Sequence, residues 1–119
     1  MTPDTMTRDE RSLLLYLETC AVDQGGLAEG RRMNKEDHEA AKKFAELKLA
    51  YLYRVPATIL FDDNLEQVLR KYTHWVTLTP AGFELAHRLR VRRAGTLGPH
   101  AQAIRRALVE KGKIEVEAE

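Results

Sequence analysis

Apolar residues recur at three- and four-residue steps through most of this chain, and the step shortens to two in only a few places. Leu13, Leu17, Cys20 and Ala21 share one helical face, with Leu14 and Tyr16 beside it, and predict a helix over 8–22. Thr7 and Glu10 have the spacing of a capping box, and Gly25-Gly26 ends the helix. Residues 27–33 form a connector that can pair as a brief strand. A second helix is predicted over 35–47. Asn34 is its N-cap, Glu36 and Asp37 sit in the first turn where the helix dipole favours carboxylates, and Ala40, Ala41, Phe44 and Leu47 form its apolar stripe.

The period then changes. Residues 49–55, rich in aromatic and branched side chains, read as a strand that Pro56 confines to an edge or a turn. A return strand is expected over 58–61 and a short helix over 64–71, where Leu65, Val68, Leu69 and Tyr72 keep helical spacing. Alternation returns over 74–78. It leads directly into a helix over 80–93, with Thr79 as N-cap, Pro80 at the first position, and Ala81, Leu85, Ala86 and Leu89 inward. Gly95 and Gly98 break that helix. A last one follows over 99–111, with Ala101, Ile104, Ala107 and Leu108 on one side. The predicted fold is mainly α with a small antiparallel β-hairpin, an α+β domain over 1–112 with a flexible acidic tail over 113–119.

At 119 residues the chain is long enough to bury a core of its own. Its 44% hydrophobic and 31% charged residues are those of a soluble protein, and no apolar run approaches the ~20 residues of a membrane span. The first ten residues lack the basic and apolar regions of a secretory signal, and the single cysteine, Cys20, forbids an internal disulfide. Together these predict a cytoplasmic protein. Histidines 38, 74, 87 and 100 lack the spacing of a helical metal pair, so neither metal nor other cofactor is expected. No glycine-rich phosphate loop, nucleophile elbow or paired acid–base motif suggests an enzyme.

Net charge is only +1, but it is unevenly spread. Residues 1–30 carry six acids and two arginines, whereas residues 87–106 carry six arginines (88, 90, 92, 93, 105 and 106) and no acid. A local cationic field can steer a polyanion even on a nearly neutral chain.

Val76-Thr77-Leu78-Thr79-Pro80-Ala81-Gly82 resembles the V-x-L-T-x-x-G segment that closes the wing of winged-helix transcription regulators such as the MarR-like repressors. The likeness is close over 75–82 and looser over 34–93, with 94–112 as an extra C-terminal helix. Phe44 to Leu49 stands where those families end a recognition helix, but Lys48 replaces the usual glycine, and one helix rather than two is predicted between Gly26 and Leu49. The resemblance therefore implies a winged helix in an abbreviated helix-turn-helix form.

It also implies binding to double-stranded DNA, as a transcriptional regulator, through the 34–47 helix and the 50–78 wing. Asn34, Lys35, His38 and Lys42 are the candidate major-groove contacts; Lys42 and Lys43 can also meet phosphates. Arg31 and Arg32 before the helix, Arg54 in the first wing strand and Arg70-Lys71 before the second would flank it on the phosphates. The family's terminal helices build a homodimer, so the first and C-terminal helices are the expected interface, with Leu13-Leu14-Leu15, Ile104 and Leu108 supplying apolar contact. The alternative is a winged-helix module that contacts protein and not DNA, favoured by Glu36, Asp37, Glu39 and Glu46 on the same helix. A third reading is a ligand sensor with an apolar pocket between the first helix and the C-terminal helices.

Overall fold

A computed structural model describes residues 1–30, 33–56 and 72–115. After a 3-10 turn at Pro3–Thr5, the elements run α1 (Arg8–Asp23), β1 (Leu27–Ala28), α2 (Lys35–Glu46), β2 (Ala50–Arg54), β3 (His74–Leu78), α3 (Pro80–Ala94) and α4 (Pro99–Glu110). The fold is mainly helical with a small three-stranded antiparallel sheet, a winged-helix-like α+β arrangement. The expected return strand over 58–61 and helix over 64–71 lie outside the described residues.

Local chemistry accounts for the helix ends. Thr7 Oγ1 accepts from the Glu10 N–H at 3.1 Å while the Thr7 N–H donates to Glu10 Oε1 at 2.7 Å, which satisfies two donors that the first turn of α1 leaves open. Asn34 and Asp37 repeat the device on α2. The end of α2 is closed by backbone alone. Leu49 N–H donates to Phe44 O and Lys48 N–H to Ala45 O, the paired bonds of a Schellman turn, and Lys48 takes φ +56. The lysine thus adopts the left-handed conformation for which glycine is the usual residue.

The sheet order is β1-β3-β2. β2 and β3 pair as a ribbon with Tyr51 opposite Thr77, Leu52 opposite Val76 and Arg54 opposite His74, and β1 adds Ala28 opposite His74. Alternation along the ribbon therefore puts Ala50, Leu52, Arg54, His74, Val76 and Leu78 on one face and Tyr51, Tyr53, Trp75 and Thr77 on the other. The first face packs on the helices, and Val76 and Ala50 are buried in it. Phe44, Leu14, Leu17 and Cys20 fill the space between α1, α2 and the sheet. Leu85, Ala86 and Leu89 bring α3 onto the same core.

Three details depart from the sequence pattern. Ala81 is exposed, and Gly82 takes the inward place because the first turn of α3 abuts the backbone at Leu49. Leu47, expected in the stripe of α2, is 46% exposed because the helix ends at Glu46 and Leu47 serves as its C-cap. Leu13 and Leu14 lie in the core of their own chain, so they do not offer the apolar contact expected of them between two copies. α4, by contrast, has no buried residue, and Ile104 is 62% exposed on it.

Candidate nucleic-acid interface

The sequence places His38, Ala41, Lys42 and Ala45 at steps of three, one and three residues, which aligns them along one stripe of α2. That stripe faces the inner side of the ribbon. His38, Ala41, Lys42, Ala45, Leu52, Arg54 and His74 together line an open concavity of about 290 Å³. Its floor is small and apolar, and its walls carry two histidines, a lysine and an arginine. The His38 and His74 rings approach with centroids 6.5 Å apart, tilted by 51°. Cross-strand pairing sets Arg54 against His74. Helix and ribbon thus converge their cationic groups on one groove.

No acid of α2 lines the groove. Glu36, Glu39 and Glu46 share a stripe with Lys43 whose centre is roughly 120° around the helix from that of the groove, Glu39 and Glu46 bordering Lys42, while Asp37 closes the Asn34 cap on the other flank. Lys43 Nζ is 3.0 Å from Glu10 Oε2, so this lysine neutralises a buried carboxylate of α1. Burial by itself pushes the Glu10 carboxyl upward; the Thr7 N–H and the Lys43 ammonium outweigh it and hold the group below its usual value. Burial, followed by the neighbouring His38 and Arg54, pushes His74 below its usual value. Thr73 Oγ1 lies 2.8 Å from His74 Nδ1 and accepts the Gly30 N–H at 2.9 Å, which fixes the ring's position.

Of the candidate contacts, the fold brings His38, Lys42 and Arg54 together. Lys35 is exposed at the first position of α2 and lines no part of the groove. Asn34 is committed as a cap, its Oδ1 accepting the Asp37 N–H at 2.8 Å. Lys43 is committed to Glu10. Arg31, Arg32, Arg70 and Lys71 lie outside the described residues. His74, absent from the candidate contacts, is also a wall of the groove. The signal was its alternation with Val76, which puts both on the inner face once the ribbon register is known.

The arginines of α3 are partly spoken for. Arg88 pairs with Glu84 four residues earlier; Arg90 pairs with Glu18 of α1 and donates to Thr19 Oγ1 at 3.0 Å. A second concavity, of about 520 Å³, lies between α1 and α3, where an apolar pocket was expected. Its lining is Arg8, Arg11, Ser12, Leu15, Leu89, Arg92, Arg93 and Thr96, so four arginines share it with two leucines.

The class that this fold defines is a winged-helix-like α+β chain with one helix, not two, between β1 and β2 among the described residues. Comparison with known proteins brings no match: no family model, no curated protein and no solved structure matches the chain. Among the described residues no helix is long and apolar enough to cross a membrane.

Proposed function

We propose that this chain is a DNA-binding protein of the MarR-like winged-helix kind that regulates transcription from the cytoplasm. The observation that carries this reading is the groove in which His38 and Lys42 of α2 meet Arg54 and His74 of the ribbon, with no carboxylate in its lining. A phosphate in the groove meets Lys42 and Arg54. The exposed N-terminal half of α2 then lies against the major groove, with Lys35 and His38 toward base edges and the ribbon along the backbone. The protein acts as a homodimer through its C-terminal helices, a reading supported by the exposed Ile104 and Leu108 of α4 and by Val91 and Leu97, exposed in the preceding segment. Affinity for random duplex DNA, measured from low to moderate salt, tests the reading. A steep fall with salt is expected; no binding even at low salt removes it.

A second reading is a winged-helix module that docks on protein. It is supported by the outer face of the ribbon, where Tyr53 and Trp75 sit opposite each other, 53% and 42% exposed. Co-purification that repeatedly returns nucleic acid and no protein counts against it.

A further inference from the structure

Alternation on the three-stranded sheet puts Leu27 of β1, Trp75 and Thr77 of β3, and Tyr51 and Tyr53 of β2 on one outer face. Three of these five residues are aromatic and none is charged. Tyr53 and Trp75 are exposed and stand directly opposite each other. The Tyr51 and Tyr53 rings lie nearly parallel, tilted by 22° with centroids 6.4 Å apart. A Cβ placed on Gly26 would lie 3.1–3.2 Å from three consecutive atoms of the indole's six-membered ring, Cε2, Cζ2 and Cη2. Near-equal distances to adjacent ring atoms put Gly26 over a face of the indole and not at its edge. One face of Trp75 is thus seated on backbone, and its exposed surface lies on the other.

This aromatic strip adjoins the cationic groove. Tyr53 and Trp75 form one rung of the ribbon, and Arg54 and His74 form the next. Alternation sends the first pair outward and the second inward, so the two pairs stand back to back, one strand step of roughly 3.4 Å apart. Among the described residues β2 is an edge of the sheet, so the way from one face to the other runs around a single strand. Bases inside a duplex have their faces covered by their neighbours in the stack. Unpaired bases expose a π-face, and aromatic side chains take it without regard to sequence. No carboxylate on the outer face opposes the phosphates that accompany such bases.

We infer that the outer face of the ribbon stacks unpaired bases, so that the chain prefers duplex DNA with a single-stranded tail over blunt duplex. The inference rests on duplex binding in the α2–ribbon groove: a strand held there at Arg54 rounds β2 and lays its unpaired bases on Tyr53 and Trp75. The test compares a blunt duplex, the same duplex with an oligothymidine tail, and oligothymidine alone, each with the full-length protein at low salt. Trp75 is the single tryptophan of the chain, so its fluorescence reports stacking directly. The tailed duplex is expected to bind about tenfold more tightly than the blunt one and, like oligothymidine, to quench that fluorescence. Tyr53→Leu and Trp75→Leu each bring the tailed duplex down toward the blunt value. Tyr53→Phe, which keeps the ring, keeps the preference. All three variants leave blunt-duplex affinity unchanged, and circular dichroism confirms that each is folded. Equal affinity for tailed and blunt duplex, with no quenching, overturns the inference and leaves the duplex reading standing. Absence of blunt-duplex binding removes the duplex reading; oligothymidine that still quenches Trp75 then preserves the stacking face, and oligothymidine without effect overturns both. Leucine variants that change self-association but not tail affinity overturn the inference too, by giving the face a protein partner.

Discussion

Gly82 sits so close to Leu49 that a Cβ placed on it would overlap the Leu49 carbonyl oxygen and lie 2.9 Å from its carbon. The same carbonyl accepts the Thr79 N–H at 3.0 Å, while the Thr79 hydroxyl donates to the Lys48 carbonyl at 2.7 Å and accepts the Gly82 N–H. The Thr79-x-x-Gly82 turn is therefore the joint by which α3 is clamped to the chain leaving α2. The partner atom is backbone and cannot rotate away. Gly82→Ala is expected to destabilise by about 2–4 kcal/mol, read from urea unfolding. A cost below about 0.5 kcal/mol would mean that the joint is loose.

Lys48 offers the opposite test. A non-glycine residue in the left-handed region carries about 1–2 kcal/mol of strain. Glycine relieves it but gives back about 0.5–1 kcal/mol through the greater freedom of the unfolded chain. Lys48→Gly should thus gain about 0.5–1 kcal/mol and raise Tm, whereas Lys48→Ala, which keeps the strain, should show no such gain.

The Glu10–Lys43 pair predicts acid sensitivity. The Glu10 carboxyl is held below its ordinary value of 4.5, so its contribution is fully present above that pH and is lost as pH falls through the lowered value. Stability of the parent should fall over this acid range more steeply than that of Glu10→Gln. Lys43→Met removes the countercharge and should cost about 1–3 kcal/mol at neutral pH.

Duplex binding should separate the lysines of α2. Lys42→Gln and Arg54→Gln are each expected to weaken binding across all sequences and to reduce the salt slope by about 1. Lys43→Gln, measured well below its melting temperature, should leave the slope unchanged because Glu10 already holds that ammonium. Equal effects at Lys42 and Lys43 would disperse the proposed contact surface.

His74 makes the same groove responsive to pH. Its pKa is lowered from 6.5, so free protein loses stability as pH falls from that value through the lowered one, where the unfolded chain takes up the proton first. Bound phosphate favours the protonated ring and reverses the preference. Duplex affinity should therefore rise over the interval in which the free protein loses stability, and His74→Gln should flatten that rise.

Among the described residues, the order of helices and strands was legible in the chain because local patterns determine it. The Thr7–Glu10 and Asn34–Asp37 caps, the alternation of 74–78 and the Thr79-Pro80 start of α3 act within a turn or two, and each element begins within a residue of where these signals place it. What the pattern could not reveal depends on distance across the fold. Lys42 and Lys43 are adjacent in sequence, yet a rotation of about 100° sends one to the ribbon groove and the other to Glu10 on α1. His74 became a groove residue only through its register with Arg54. The arginines of α1 and α3, more than seventy positions apart, became one cavity only because buried leucines hold the two helices together. Periodicity selects the face a residue occupies; only packing decides what that face meets.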